Sequence, residues 1–263
     1  MSYTVNCSIL LTELPLLERP AAAKKAGFDN VEFWWPFAEA VPAQADVDAF
    51  IKALKDADVQ LTGLNFLAGD MPAGDRGIVS WKGRCGEFKE NVAVVAAIGE
   101  ATGCKAFNAL YGNRQDGQDP QAQDELAVRN LVFAAEAVAA FGGTVLLEPV
   151  SGTPTYPLKT AADVQAVIAK TQEAGVDNVK LLADFYHLAV NGDDVAAVIE
   201  DHAKDFGHIQ IADNPGRGAP GTGELPLGEW ITRSRELGYD GVIGLEYKAP
   251  IEEAFTWLIR EPA

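Results

Sequence analysis

Residues 179–212 read VKLLADFYHLAVNGDDVAAVIEDHAKDFGHIQIA. Two short apolar runs, Val179–Asp184 and Gly207–Ala212, flank a longer stretch of helical, acidic character in which His202 reads as a surface residue. Strand, helix, strand is the signature of a parallel βα unit. Working outward, the same alternation recurs along the whole chain. Six further strands are expected at Tyr3–Ser8, Asn30–Trp34, Val59–Phe66, Lys105–Leu110, Thr144–Pro149 and Gly241–Tyr247. Amphipathic stretches separate them, among them Gln121–Ala140, where Leu126, Asn130, Phe133 and Ala137 recur at helical spacing. Eight units in 263 residues match the roughly 250-residue norm of a (β/α)8 barrel. Gly27, Gly103 and Gly238 stand where helices should end before a strand, as glycine C-caps do. No linker or like-charge block divides the chain, so residues 1–263 read as a single α/β barrel domain. A doubly wound nucleotide-binding sheet is disfavoured, because the first βα turn, Ser8 to Thr12, has no glycine.

Composition narrows the function. Hydrophobic residues make up 48% and charged residues 22%, ordinary for a globular protein with a sizeable core. The net charge of −17 repels phosphate backbones, so neither nucleic acid nor an anionic membrane surface is an expected partner. Cys7, Cys85 and Cys104 are odd in number and widely spaced, as free thiols in a reducing cytoplasm are. An export signal or membrane span is not expected: Met1–Pro20 has no basic n-region and carries Glu13 within its apolar stretch. Homo-oligomerisation is left open.

In such a barrel the chemistry sits at the C-terminal ends of the strands. Four consecutive strands end in polar residues: TVLLE at Glu148, VKLLAD at Asp184, HIQI around Gln210, and VIGLE at Glu246. Side chains alternate along a strand. If Ile209, Ile211, Leu147 and Leu245 face the surrounding helices, then His208, Gln210, Glu148 and Glu246 face the axis. Three inward carboxylates beside a carboxamide cannot all remain ionised without a cation. The all-oxygen set Glu148, Asp184, Gln210 and Glu246 suits a hard divalent metal, Mg²⁺ or Mn²⁺.

Around this set, His187 is expected on the loop after the sixth strand, in reach of a substrate oxygen. Lys248 shares the parity of Glu246 and is expected to project above the metal toward an anionic substrate. Arg217, in the glycine-rich loop Asp213–Glu224, and Arg84 are expected to reach in from loops with the bidentate geometry suited to carboxylates. His208 reads as a satisfied core histidine that supports Gln210. Glu32 reads as a paired interior carboxylate, with the aromatics near Trp34 walling the pocket.

Taken together these segments resemble the hydroxypyruvate isomerases, a branch of the xylose-isomerase-like barrels. The resemblance spans Ala21–Phe37, AGDMPAGDRGI at Ala68–Ile78, Gly83–Phe88, Leu146–Pro149, Asp184–His187, Gly207–Glu224 and Gly244–Lys248. It implies metal ligands at Glu148, Asp184, Gln210 and Glu246, with Glu148 and Glu246 as the acid/base pair. Related ketose epimerases carry histidine where this chain has Gln210, which points to the hydroxypyruvate branch. The implied reaction converts hydroxypyruvate to 2-hydroxy-3-oxopropanoate through an enediolate. The alternative is 2-oxo-tetronate isomerase or another small sugar or sugar-acid ketose isomerase or epimerase, so the expected partner is a small 2-oxo acid or ketose. An apurinic endonuclease, which uses a similar barrel, is disfavoured by the charge and by only three histidines. A non-catalytic sugar-acid binder would keep Lys248 and Arg217 without needing both glutamates.

Overall fold

A computed structural model describes residues 2–260. Eight parallel strands close into one barrel in chain order. They are β1 (Tyr3–Asn6), β2 (Asn30–Phe33), β3 (Gln60–Asn65), β4 (Ala106–Asn108), β5 (Thr144–Leu147), β6 (Val179–Asp184), β7 (His208–Ile211) and β8 (Ile243–Leu245). The helices are α1 (Arg19–Lys25), α2 (Gln44–Asp56), α3 (Cys85–Thr102), α4 (Pro120–Ala139), α5 (Ala161–Glu173), α6 (Phe185–Val190), α7 (Val195–His202) and α8 (Leu227–Glu236). All eight expected strands are present, several shortened at their C-terminal ends. Backbone hydrogen bonds still run one residue further, from Ala109 N–H to Leu146 O at 2.9 Å and from Glu246 N–H to Ile211 O at 3.1 Å. Beyond that the chain peels off to form the barrel mouth.

The glycine stops behave as expected, with Gly27, Gly103 and Gly238 at φ of 97°, 77° and 104°. The buried face of α4 differs from the stripe expected from its spacing. The Asp119 side chain caps α4 by accepting from Gln121 N–H, and the helix buries Gln123, Ala127, Asn130, Leu131, Ala134 and Val138. Phe133 lies outside that face, 38% exposed, under the Lys89 ammonium at 5.2 Å. The face turned to the barrel is built largely from alanines, with Leu131 and Val138 as its larger apolar residues.

Strand parity holds. Ile209, Ile211, Leu147 and Leu245 are buried in the main hydrophobic core, whereas Leu146, Leu182, His208 and Gln210 line a residual void of about 10 Å³ with Glu32, Asn6 and Asn108. The barrel interior is therefore nearly filled among the described residues. Cys7 and Cys104 are buried and Cys85 is half-buried, all as free thiols. Burial pushes the Cys104 thiol up to about 12 and holds the Cys7 thiol well above its ordinary value. Among the described residues no helix is long and apolar enough to cross a membrane.

Candidate active site at the barrel mouth

Each strand from β1 to β8 carries a polar residue within one position of its C-terminal end: Asn6, Glu32, Asn65, Asn108, Glu148, Asp184, Gln210 and Glu246. Asp184 closes β6 and pairs in register with Gln210 of β7, which pairs with Gly244 of β8. Asp184 is also the N-cap of α6, where Oδ1 accepts from Tyr186 N–H at 2.8 Å and His187 N–H at 3.2 Å. His187 therefore lies in the first turn of a helix rather than in the expected loop. The carboxylate begins the helix at once, so no loop intervenes.

One oxygen each of Glu148, Asp184 and Glu246 and one nitrogen of His187 lie within 4.8 Å of one another, all buried. Asn108 Nδ2 donates to Glu148 Oε2 at 2.7 Å. Glu246 is held from three sides. Its Oε1 accepts from Trp34 Nε1–H at 2.6 Å and Asn6 Nδ2 at 3.1 Å, and its Oε2 accepts from Arg217 at 2.8 Å. Arg217 also approaches Asp184 at 3.8 Å and lies over the Tyr186 ring at 5.5 Å.

One arginine cannot neutralise three buried carboxylates. Burial and the neighbouring acids push Glu148 well above the usual carboxylate range. Burial pushes Glu246 up to about 7 against the pull of Arg217, and Asp184 is raised by the same contest. Burial, reinforced by Arg217, lowers His187 to about 3, so its imidazole is neutral. Its tautomer follows from its partners. Ser151 N–H, which can only donate, points at Nδ1 at 3.1 Å. The ring proton is then on Nε2, 3.7 Å from both Glu148 and Asp184.

Below this layer, Glu32 accepts from Gln210 Nε2 at 2.7 Å and Asn6 Nδ2 at 3.1 Å, and pairs with His208 Nε2 at 2.7 Å. Because the carboxylate can only accept from the amide, it fixes which way Gln210 points. Gln210 Oε1 and Asp184 Oδ2 are left buried with no hydrogen-bond partner. Orphaned buried acceptors are costly. Two of them in one layer with surplus negative charge fit a cation. His187 Nε2, carrying a proton, has no lone pair to give, which leaves Gln210 Oε1 as the better fourth donor.

Space for this network depends on Gly244. A Cβ there would stand 2.7 Å from Gln210 Cγ, 2.9 Å from Glu32 Oε1 and 2.9 Å from His208 Nε2. Gly244→Ala is expected to cost about 1–3 kcal/mol by overpacking, lowering Tm by roughly 2–12 °C. Gly228→Ala, where nothing lies within 4 Å, should leave Tm within about 2 °C. Thermal melts of both variants check this.

A cavity of about 100 Å³ opens above the carboxylates, lined by Glu148, Glu246, His187, Arg217, Ser151, Trp34, Asn65, Met71 and Arg76, among others. A water needs only about 10–15 Å³ of such space, so the cavity has room for a small polar ligand. A wider cleft of about 710 Å³ shares Trp34 and Met71 with it and contains Arg84.

Of the residues expected from sequence, Glu148, Asp184, Glu246, His187 and Arg217 come together at the mouth, with Gln210 directly beneath. Lys248 does not join them. It is exposed and lines a separate groove of about 700 Å³ that shares no lining residue with the site cavity. The reason is local: past Glu246 the backbone leaves the ladder, Lys248 N–H bonds to Arg217 O at 2.7 Å, and the Lys248 side chain turns outward. Arg84 is spent on Glu87, with two contacts of 2.6 Å, and is not part of the cavity lining. Sequence reasoning missed Asn6, Asn65 and Asn108, although each ends a strand and the rule that selected Glu148 would have selected them. It also passed over Arg76 and Ser151, which lie in loops where no periodicity points inward.

The sequence profile of the xylose isomerase-like TIM barrel family matches residues 20–261. A Streptomyces coelicolor protein named "Putative hydroxypyruvate isomerase" is 51% identical, covering 97% of this chain and 95% of its own length. A 2-oxo-tetronate isomerase of Cupriavidus necator is 33% identical over 97% of this chain and 96% of its own. The crystal structure of a Brucella melitensis protein described as "AP endonuclease, family 2" superposes with a TM-score of 0.87 at 30% identity, covering 100% of this chain and 99% of that one.

Proposed function

The chain belongs to the xylose isomerase-like TIM barrel family, and from that premise we propose that it is a hydroxypyruvate isomerase, a divalent-metal enzyme that interconverts hydroxypyruvate and 2-hydroxy-3-oxopropanoate. The observation that carries this reading is the buried cluster of Glu148, Asp184 and Glu246 with a protonated His187 Nε2 at the floor of a cavity of about 100 Å³. The higher identity to the relative named for hydroxypyruvate, 51% against 33% for the 2-oxo-tetronate enzyme, supports the smaller substrate.

Glu148, Asp184, Glu246 and the Gln210 amide oxygen would hold the cation, and their hardness favours Mg²⁺ or Mn²⁺. When bound, it supplies stabilisation for negative charge developing on the substrate oxygens. The protein's own groups do the proton work. One of Glu148 and Glu246 takes a proton from the hydroxymethyl carbon, C3. His187 Nε2–H donates a hydrogen bond to the C2 oxygen, where charge accumulates as the enediolate forms. A proton returns to C2 from the second glutamate or the first, and the hydroxyl proton lost as C3 becomes an aldehyde ends, in net balance, on the C2 oxygen. Trp34, Asn6 and Asn108 keep the two carboxylates oriented, and Arg217 offsets part of their charge.

The 2-oxo-tetronate relative makes the four-carbon acid a second reading. Cleavage of abasic DNA, the reading suggested by the name of the Brucella protein, would place a polyanion against a surface of net charge −17. The test is kcat/KM for hydroxypyruvate, 2-oxo-tetronate and neutral ketoses, in Mg²⁺ and in Mn²⁺. Hydroxypyruvate is expected to exceed the others by at least tenfold; a preference for 2-oxo-tetronate transfers the assignment to the second reading.

A further inference from the structure

Arg76 is the unassigned charged group of the cavity. We propose that its guanidinium binds the carboxylate of the substrate and so selects 2-oxo acids over neutral ketoses; this rests on the isomerase reading above. Two arginines line the cavity, Arg76 and Arg217, and they are engaged differently. Arg217 gives its NH2 to Glu246 Oε2 at 2.8 Å and its Nε to Glu246 O at 3.3 Å. Drawing it onto a ligand would strip the countercharge from a buried carboxylate. Arg76 gives only NH1, to the backbone carbonyls of Met71 at 3.1 Å and Asp75 at 2.6 Å. Among the described residues no acidic side chain pairs with it. Its Nε and NH2 remain to form the two parallel hydrogen bonds that a carboxylate accepts.

The position is built into the backbone. Gly112 N–H bonds to Arg76 O at 2.9 Å and Gly77 N–H to Ala68 O at 2.8 Å, and Gly77 bridges Tyr111. Gly77 sits at φ 95° with its α-carbon so close to the barrel that a Cβ would meet Leu110 O at 1.7 Å. Only glycine allows the segment AGDMPAGDRG to lie against the mouth and present the preceding arginine to it.

Charge balance gives the same answer. Arg217 and a divalent cation offset the three carboxylates, so a substrate carboxylate brings one further negative charge into a confined space. Arg76 supplies the matching positive charge.

The experiment compares Arg76→Met and Arg76→Lys with the unaltered protein in Mg²⁺, using hydroxypyruvate, its neutral counterpart dihydroxyacetone, and calorimetric binding of D-glycerate, which carries the carboxylate but lacks the carbonyl. Arg76→Met should lower kcat/KM for hydroxypyruvate about 10- to 150-fold, mostly through KM, and weaken D-glycerate binding by a similar factor. Arg76→Lys should recover part of both. The dihydroxyacetone reaction should change less than about threefold. Unchanged D-glycerate affinity in a folded Arg76→Met protein, or equal losses for the charged and neutral substrates, overturns the assignment. If the unaltered protein binds D-glycerate through Arg76 yet does not isomerise hydroxypyruvate, the carboxylate anchor stands and the isomerase reading falls.

Discussion

Glu246→Gln is expected to lower kcat for hydroxypyruvate by about 10²- to 10⁴-fold, the range associated with loss of a positioned acid or base. The substituted amide fits the same space, and its one oxygen can still accept from Trp34 and Asn6, which hold the native Oε1 at 2.6 and 3.1 Å, while its NH2 takes the place of the oxygen that accepts from Arg217. What it cannot do is take up a proton. Glu148→Gln should have a comparable effect, since Glu148 occupies the same cluster and, among the described residues, Asn108 is its one side-chain hydrogen-bond donor. Loss of fold is not the expected explanation, and the direction of the pKa shift says why. The Glu246 carboxyl is raised from 4.5 to about 7, so in the metal-free protein its contribution to stability is present below pH 4.5 and is lost as the pH rises through 7. At pH 8 a neutral glutamine removes that penalty. Metal-free Glu246→Gln should therefore remain folded at pH 8, the relieved charge penalty offsetting the lost acceptor for Arg217, while turning over far more slowly. Steady-state rates and melts on the same preparation separate the two effects, and a variant retaining more than a tenth of the activity removes Glu246 from the proton-transfer step.

Chelation is expected to abolish activity, and saturating Mg²⁺ or Mn²⁺ to raise Tm by about 5–11 °C. The shift follows from linkage: a ligand at a hundred times its Kd stabilises by about 2.7 kcal/mol, and for a protein of this size each kcal/mol moves Tm by about 2–4 °C. The physical source is the surplus of buried negative charge, with Glu148 and Asp184 both raised by burial and Gln210 Oε1 and Asp184 Oδ2 without a hydrogen bond. Protons compete for the same oxygens, so the increment should be largest near pH 8 and shrink toward pH 5. Asp184→Asn and Gln210→Ala should each remove most of it. Glu32→Gln should remove part, because a glutamine there no longer dictates which end of the Gln210 amide faces the cavity. A metal-dependent shift that survives Asp184→Asn places the cation elsewhere, and full activity after exhaustive chelation with no metal by elemental analysis excludes it.

Much of this molecule is legible in the sequence, for identifiable reasons. The barrel shows because parallel strands covered by helices must be apolar runs, and runs such as VKLLAD and HIQI stand out between amphipathic segments. The carboxylate cluster shows because strand periodicity is rigid: residue 148 must face as residue 146 does, and Leu146 lines the barrel interior. Side chains beyond the ladder are a different matter. Lys248 has the parity of Glu246, yet the chain has left the sheet by then and parity no longer governs it. Arg84 and Arg76 lie within one loop region, and nothing in their spacing says that Glu87 claims the first and that backbone carbonyls hold the second. That information resides in tertiary contacts, above all the close approach of Gly77 to Leu110.

The most direct test of the central claim is proton and carbon NMR of hydroxypyruvate incubated with the Mg²⁺-loaded protein in D₂O. The account predicts conversion to 2-hydroxy-3-oxopropanoate with deuterium on C2, washed in through the carboxyl that returns the proton, and conversion slowed at least about 100-fold by Glu148→Gln or Glu246→Gln. Absence of conversion by the unaltered protein, or a product that retains the original hydrogen in full at C2, contradicts it.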